Sequence, residues 1–427
     1  TSSSFDASVW EFWLPLMSGA RLHLAPAELG TSLESLWGLV EAQRINVLQM
    51  PPSLLQALLP FAGDDQLDSL RLLCCGGEAL SGALLEQLGR RWNGELVNLY
   101  GPTEATIDAC CFSAPVKEVG AEIPIGAPIA GVRARILDAA GGVCPVGCRG
   151  ELLIAGAGLA RGYLGRPGLT AERFVPDPYG DGERIYRTGD LARLRRDGQI
   201  DYLGRLDHQV KIRGFRIELG EIEARLLEQE CVREAVVLAA DGASGQQLLG
   251  YVVPQDVGAL EGEKRGALRE ALKSALKASL PEYMVPTQWV FLAALPLLPN
   301  GKLDRKALPA PEAGDSQQVY AAPETDLEQQ LAAIWAEVLK LERVGLTDNF
   351  FELGGHSLLA TQVLVRVREQ LGLEIALKEL FEFPVLTDLA RQLEGRGSVS
   401  ASLQDELAKS LEALKRLTTE EIDALTS

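Results

Sequence analysis

The sequence predicts a multidomain protein in which an α/β and β-rich core is followed by a small α+β subdomain and an all-α unit. Its 427 residues allow two to four domains, each with its own hydrophobic core. Short apolar strands alternate with helical stretches up to about residue 203, and the amino-acid composition changes near 204–214. A stretch rich in small residues and proline at 309–318 has the composition of a linker.

The core begins with strands and helices in alternation. Apolar runs predict strands at 45–48, 69–73 and 95–99. Helical stretches lie between them at 53–59 and 81–91. Because strands that alternate with helices usually pair in parallel, we expect a parallel sheet here. From about Gly126, glycine-rich turns separate short strands such as 150–154, which predicts a β-rich part.

The subdomain and the all-α unit have their own patterns. The subdomain elements are helices at 218–228 and 265–280 and strands at 235–238 and 248–253. Leucines four residues apart predict one buried face on the longer helix: Leu268, Leu272, Leu276 and Leu280. Thr325 and Glu328 form a capping-box pattern, and a helical sequence pattern continues from there to about residue 393.

Composition narrows the class of protein. Lysine and arginine number 41 against 59 aspartates and glutamates, a formal charge of −18, which argues against nucleic acid or an anionic membrane as a partner. The seven cysteines lack CxxC spacing, and two adjacent pairs have apolar neighbours, so we expect reduced core thiols. No apolar run approaches the roughly 20 residues that span a bilayer. The expected location is the cytoplasm.

Residues 348–359 (DNFFELGGHSLL) place Ser357 after a glycine pair and before an apolar helix. A helix N-terminus favours a phosphate group, although an ordinary N-cap serine is the alternative. The whole string resembles the attachment motif of the peptidyl carrier domains of nonribosomal peptide synthetases. The resemblance covers 323–393 and implies that a phosphopantetheinyl transferase esterifies Ser357 with 4'-phosphopantetheine.

Residues 98–104 (NLYGPTE) place a Gly-Pro turn directly after a predicted strand. The string resembles the core motif of adenylate-forming enzymes, which bind ATP. The resemblance implies that Tyr100 lies against adenine, Thr103 contacts phosphate and Glu104 holds Mg²⁺, a metal that prefers hard oxygen ligands. Residues 150–163 fit the same family.

Two later strings resemble further parts of that family. Residues 186–191 (YRTGDL) imply that Asp190 accepts hydrogen bonds from both ribose hydroxyls. Residues 204–216 (GRLDHQVKIRGFR) imply a hinge at Asp207 and a nucleotide contact from Arg205. A basic nucleic-acid patch is the alternative for this stretch, but apolar residues alternate with charged ones at 210–213, which a half-buried strand explains better.

The last string of the subdomain is 298–305 (LPNGKLDR), in which an Asn-Gly turn presents Lys302. A lysine after a turn is usually an inert surface residue. Here it coincides with the family's catalytic lysine, which implies that Lys302 stabilises charge on the substrate carboxylate and the α-phosphate.

Residues 5–11 (FDASVWE) resemble the start of the family's amino-acid pocket, where Asp6 would pair with the substrate ammonium. Motif alignment gives the other pocket positions as Ala7, Trp10, Gln49, Leu73, Cys75, Leu99, Ile107 and Asp108. Gln49 and Asp108 are polar and need partners when buried. A side-chain carboxamide satisfies both, so we predict glutamine as the substrate, with glutamate as the close alternative.

The resemblance implies five segments. They are an adenylate-forming core that lacks its N-terminal part (1–204), a C-terminal adenylation subdomain (205–309), a linker (310–322), a four-helix carrier domain (323–394) and a helical tail or docking segment (395–427). The family's phosphate-binding loop lies upstream of the FDAS string, so we expect little adenylation by these 427 residues alone. Neighbouring condensation or downstream synthetase domains are the expected partners. A carrier without adenylation activity and an acyl-CoA ligase-like enzyme are the alternatives.

Overall fold

The computed structural model describes residues 1, 3–26, 34–63, 65–120, 122–180, 182–212, 214–242, 245–260, 262–310, 320–351, 353–355, 357–373 and 375–394. The predicted tail and most of the predicted linker lie outside these residues. The chain divides into two compact units. The first comprises Thr1–Ala239, Gly250–Pro286 and Phe291–Leu303, and the second comprises Ala240–Leu249, Thr287–Val290 and the chain from Asp304 onward.

The first sheet has five strands in sequence order. They are β1 (Val47–Met50), β2 (Leu72–Gly76), β3 (Glu95–Tyr100), β4 (Cys110–Pro115) and β5 (Ala127–Pro128). The first three are parallel, as predicted, and the last two are antiparallel. The helices of this part are α1 (Ala7–Met17), α2 (Glu34–Ala42), α3 (Pro52–Leu58) and α4 (Gly82–Arg91).

The strands β1 and β2 begin two and three residues later than the sequence predicts. The cause is the end of α2, where the Ile45 amide donates to the Val40 carbonyl and Arg44 adopts a left-handed φ of 50°. The Asn46 carbonyl then accepts from the amides of Arg71 and Leu72. Residues predicted to begin the two strands therefore take part in these turn contacts, and the strands start after them.

The second sheet is antiparallel, with the order β10-β9-β7-β6 and with β8 on β9. Its strands are β6 (Val132–Leu137), β7 (Arg149–Gly156), β8 (Phe174–Pro176), β9 (Arg184–Leu194) and β10 (Ile200–Arg205), and α5 (Pro167–Arg173) precedes β8. Buried residues of both sheets, including Tyr100, Cys110, Leu152 and Ala192, share one core cluster. The predicted β-rich part is therefore packed directly against the end of β3.

A two-stranded hairpin, β11 (Val210–Ile212) and β12 (Phe215–Ile217), follows β10. The next elements are α6 (Leu219–Leu227), β13 (Val232–Gly242), β14 (Gly245–Pro254), α7 (Gly262–Ser279) and β15 (Gln288–Phe291). The last three strands form a sheet in the order β13-β14-β15. All four leucines that the spacing assigned to one face of the helical segment are buried.

The all-α part of the second unit contains α8 (Asp326–Leu339), α9 (Ser357–Leu371), α10 (Leu377–Glu382) and a helical segment at 386–394. Trp335 and Phe350 are fully buried at its centre, with their rings edge to face at 5.1 Å. The predicted fold class, with an α/β and β-rich core and a four-helix unit, is confirmed. No helix among the described residues combines the length and apolarity needed to cross a membrane.

The N-terminus of α8 is a complete capping box. The Thr325 hydroxyl accepts from the Glu328 amide at 3.2 Å, and Glu328 Oε2 accepts from the Thr325 amide at 2.9 Å. We expect Thr325→Ala to lower the free energy of opening of the first α8 turn by about 1 kcal/mol, measured by hydrogen exchange. Thr347→Ala, at an exposed loop position, is the control and should stay within about 0.5 kcal/mol. Equal effects of the two changes would contradict the capping role.

Candidate active site

The carboxyl end of β3 carries the first candidate residues. After Tyr100, the turn at Gly101 and Pro102 leads into a short helical turn, Thr103–Ala105. A Cβ on Gly101 would lie 2.2 Å from the Ile107 carbonyl oxygen, so glycine is required there. Thr103 is exposed, whereas Glu104 is buried. The structure thus places these side chains at the strand edge where open α/β sheets bind ligands.

Both oxygens of the Glu104 carboxylate have partners. Oε1 accepts from the Tyr163 hydroxyl at 2.7 Å, and Oε2 pairs with the Arg216 guanidinium at 2.6 Å. Arg216 also donates to the Tyr186 hydroxyl at 3.4 Å. Burial alone would raise the pKa of Glu104, but Arg216 and the Tyr163 hydrogen bond outweigh it and leave the pKa below its usual value. Glu104 is therefore an anion at neutral pH.

A second buried carboxylate, Asp190 on β9, joins the predicted nucleotide residues to the hinge. Its oxygens accept from the Tyr100 hydroxyl and, at 2.8 Å, from Arg205. Arg205 also pairs with Asp207 through two hydrogen bonds of 2.8 and 2.6 Å. Burial and then the charge of Asp190 raise the pKa of Tyr100 well above its usual value, so its hydroxyl remains a donor. Four sequence-predicted residues are thereby brought into one network.

Lys211, on β11, is a residue of this site that the sequence analysis missed. Its ammonium lies 5.7 Å from the centre of the Tyr100 ring, within cation–π range. Burial is the main cause that lowers its pKa, and Asp190 opposes that effect. Alternating polarity correctly predicted the strand. However, the charged face of the strand points to the nucleotide residues, because the whole hairpin packs onto the core.

The structure does not bring Lys302 to Glu104. Its turn is closed by a 2.7 Å hydrogen bond from the Leu298 amide to the Lys302 carbonyl, and Gly301 supplies the left-handed φ of 78°. Lys302 is exposed at this turn. In this conformation Arg216 pairs with Glu104, and Lys211 lies over the Tyr100 ring.

Strand register divides the predicted pocket residues of β1, β2 and β3 between the two faces of the first sheet. Gln49 pairs with Cys74, and Leu99 pairs with Gly76, so these side chains share one face of the sheet. Leu73 and Cys75 point to the opposite face and are buried in the core cluster with Trp37 and Leu88. Burial and then the neighbouring Cys111 and Asp108 raise the pKa of Cys74 to about 12. Cys74 lies on the same face of the sheet as Gln49 and Leu99.

The remaining predicted pocket residues lie at α1, on β1 and in the turn after Glu104. Asp6 immediately precedes α1, and Ala7 and Trp10 on its first turns are half-buried. The Thr1 hydroxyl donates to Gln49 Oε1 at 3.1 Å. Burial and then the charge of Asp6 raise the pKa of Asp108 to about 6. The structure thus brings Asp6 and Asp108 close enough to interact.

The turn between Glu104 and Asp108 is strained. Thr106 and Ile107 have left-handed φ values of 61° and 73°, which are rare for β-branched residues. Such residues cost of order 1–3 kcal/mol each and occur mainly at functional sites. A 2.6 Å hydrogen bond from the Thr106 hydroxyl to the Gly158 carbonyl holds the turn. The strained turn therefore carries Ile107 and leads directly to Asp108, both predicted pocket residues.

In the four-helix unit, Ser357 is the first residue of α9. Gly354 has a left-handed φ of 95°, and a Cβ on Gly355 would lie 2.4 Å from the Phe350 ring and carbonyl oxygen. The glycine pair is therefore needed to place the serine at the helix start, as the motif predicted. His356 lies outside the described residues.

Three family models match consecutive parts of the chain. They describe an AMP-binding enzyme (1–164), the AMP-binding enzyme C-terminal domain (221–302) and a phosphopantetheine attachment site (329–393). Over 393 residues the chain is 48% identical to tyrocidine synthase 3 of Brevibacillus parabrevis, covering 91% of this chain and 6% of that protein. It is 46% identical to a dimodular nonribosomal peptide synthase of Bacillus subtilis (strain 168), covering 95% of this chain and 16% of that protein.

The chain belongs to the nonribosomal peptide synthetases. A solved structure of holo-PA1221, an NRPS protein containing adenylation and PCP domains bound to a vinylsulfonamide inhibitor, matches with a TM-score of 0.73 at 31% identity, covering 92% of this chain and 65% of that one. The predicted family is confirmed, and the AMP-binding and phosphopantetheine-attachment models match the parts of the chain in which the ATP and 4'-phosphopantetheine sites were predicted. The chain spans a small share of the two bacterial synthases, which continue beyond it.

The Glu104 site of this synthetase chain fits Mg²⁺. The described residues contain no group of three or more His, Cys, Asp or Glu side chains that could bind a metal by themselves. Mg²⁺ in nucleotide sites is usually held by one or two carboxylates together with substrate phosphates. A single ionised glutamate at the nucleotide edge is the protein part of such a site.

Gly189 on β9 leaves room for the Arg205–Asp207 pair to lie against the strand that carries Asp190. Its φ is 74°, and a Cβ there would lie 2.8 Å from both Arg205 and Asp207. We expect Gly189→Ala to lower the free energy of unfolding by at least about 1 kcal/mol more than Gly198→Ala does. Gly198 is a matched control because its φ is 83° and a Cβ there has no neighbour within 4 Å. Equal losses in chemical denaturation would show that the Arg205–Asp207 pair does not need this glycine.

Proposed function

We propose that this part of a nonribosomal peptide synthetase module activates an amino acid with ATP and transfers it to the phosphopantetheine thiol on Ser357. One observation carries the proposal: Tyr100, Glu104 and Asp190 meet at the edge of the first sheet in a chain that also holds a carrier unit. Nucleotide chemistry and an acceptor attachment motif are thus encoded together.

Each residue has a distinct task in the first half-reaction. The Tyr100 ring lies against adenine, Asp190 accepts from the ribose hydroxyls, and Thr103 contacts phosphate. An oxygen of the amino-acid carboxylate attacks the α-phosphorus, a new P–O bond forms, and the bond to pyrophosphate breaks. Glu104, together with the substrate phosphates, would hold Mg²⁺, which would neutralise phosphate charge when bound. Lys302 adds a cation after the subdomain turns about Asp207.

In the second half-reaction Ser357 would hold 4'-phosphopantetheine, whose thiol would supply the acceptor for the acyl group, with AMP as the leaving group. Arg205 and Asp207 at the hinge change the partners of the nucleotide site between the two steps. A phosphopantetheinyl transferase and neighbouring synthetase domains are the proposed partners.

The amino-acid pocket favours glutamine, with glutamate as the alternative. Asp6 pairs with the substrate ammonium. Gln49, Cys74 and Leu99 share one face of the sheet, which supports them as the floor of the amino-acid pocket. An ionised Asp108 accepts from a carboxamide NH₂ group, and the Gln49 amide donates to the carboxamide oxygen.

ATP–pyrophosphate exchange with a panel of amino acids tests the proposal. In the full-length protein we expect exchange with glutamine above glutamate and above branched aliphatic residues. Preference for a branched aliphatic residue would overturn the substrate assignment. Loading of Ser357 without any exchange would favour a carrier that only accepts acyl groups. Intact mass should show the phosphopantetheine adduct on the wild type and on a Ser279→Ala control, but not on Ser357→Ala.

The pKa of Asp108 gives a pH test of the same pocket. Because that pKa is raised to about 6, the carboxyl is ionised above pH 6 and protonated below it. An ionised carboxyl favours the glutamine NH₂ group, whereas a protonated one donates to the glutamate carboxylate. We therefore expect the glutamine-to-glutamate ratio of exchange rates to rise as the pH increases through about 6. In Asp108→Asn the ratio should stay level, and a level ratio in the wild type would contradict the assignment.

A further inference from the structure

The β11–β12 hairpin contacts the core at several points. The Gly214 amide donates to the Glu78 carboxylate, which also accepts from the Ser53 amide and hydroxyl at 2.9 and 3.0 Å. The Phe215 ring stacks on Tyr283 at 4.0 Å and meets Phe5 edge to face at 5.5 Å. The hairpin is therefore docked, and its residues Lys211 and Arg216 lie next to Tyr100 and Glu104.

Within the docked hairpin, Arg216 contacts Glu104, the residue predicted to hold Mg²⁺. Its guanidinium binds Glu104 Oε2 at 2.6 Å. Glu104 precedes the hinge at Asp207 in the sequence and Arg216 follows it, so rotation about the hinge would separate them. Tyr163, by contrast, holds the other oxygen from before the hinge and would stay with Glu104 in both positions.

Mg²⁺ and the Arg216 guanidinium are alternative partners of the Glu104 carboxylate. A buried carboxylate that loses its cation retains the cost of desolvation, so Glu104 needs either a metal or a guanidinium. Both cannot occupy Oε2 together, because like charges at hydrogen-bond distance repel strongly in a buried site. An arginine supplies that charge without a metal.

We propose that Arg216 is a positioning residue that replaces Mg²⁺ on Glu104 when the hairpin docks, so that the metal and the docked hairpin compete for one carboxylate. The proposal rests on the proposed function, because it assigns the docked state to the thioester-forming step. Departure of the metal with pyrophosphate leaves Glu104 ready for Arg216. Retained metal delays docking and therefore transfer.

Hydrogen exchange measured by mass spectrometry on the full-length protein tests the competition directly. We expect the β11 and β12 amides of the wild type to exchange faster as MgCl₂ is raised, with or without a non-hydrolysable ATP analogue. In Arg216→Met, exchange should already be about tenfold faster without metal and should respond little to MgCl₂. Arg225→Met is the matched control, because Arg225 pairs with Glu228 on the exposed surface of α6, and it should behave as the wild type. A wild-type hairpin indifferent to MgCl₂ would overturn the proposal.

Kinetics separate this inference from the proposed function. In Arg216→Met we expect the rate of transfer to the carrier thiol to fall by at least about tenfold more than pyrophosphate exchange falls. Parallel losses would place Arg216 in adenylation and overturn the proposal. If the wild type shows no ATP–pyrophosphate exchange, the proposed function fails. The hydrogen-exchange response of the hairpin to MgCl₂ still decides whether metal and arginine compete.

Discussion

The charge of one buried carboxylate, Glu104, determines how the parts of this site are arranged. An ion removed from water must be paired, and a single unpaired carboxylate costs several kcal/mol by order of magnitude. The fold meets this requirement from two sides of the hinge. Tyr163 holds Oε1 at 2.7 Å from the core, and Arg216 holds Oε2 at 2.6 Å from the hairpin. The position of the hairpin is thereby linked to the charge of the nucleotide site.

Asp190 makes a second link of the same kind. It receives the Tyr100 hydroxyl on one oxygen and Arg205 on the other, and Arg205 continues to Asp207. Movement at the hinge therefore changes the partners of the residue predicted to bind ribose. The exposed position of Lys302 agrees with this picture, since Arg216 and Lys211 supply the local positive charge when the lysine is elsewhere.

The sequence predicted what depends on local pattern and missed what depends on tertiary contact. The parallel strands, the buried leucine face of α7 and the capping box at Thr325 follow from periodicity and cap chemistry, and they are confirmed. Leu73 and Cys75 face the core, opposite to Gln49 and Leu99; a shift of one residue along a strand reverses the face, and only the pairing of Gln49 with Cys74 fixes it. Alternating polarity predicted β11, but polarity cannot tell whether Lys211 faces water or a packed neighbour.

The strained turn at Thr106 and Ile107 joins the two chemistries of the site. Glu104 on one side of it pairs with Arg216, and Asp108 on the other is close enough to Asp6 for the charge of Asp6 to raise its pKa. Two left-handed β-branched residues reverse the chain within this short distance, and the bond from Thr106 to Gly158 keeps them there. Backbone strain of this kind occurs mainly at functional sites, which agrees with a loop that carries both the residue predicted to hold the metal and a residue predicted to line the amino-acid pocket.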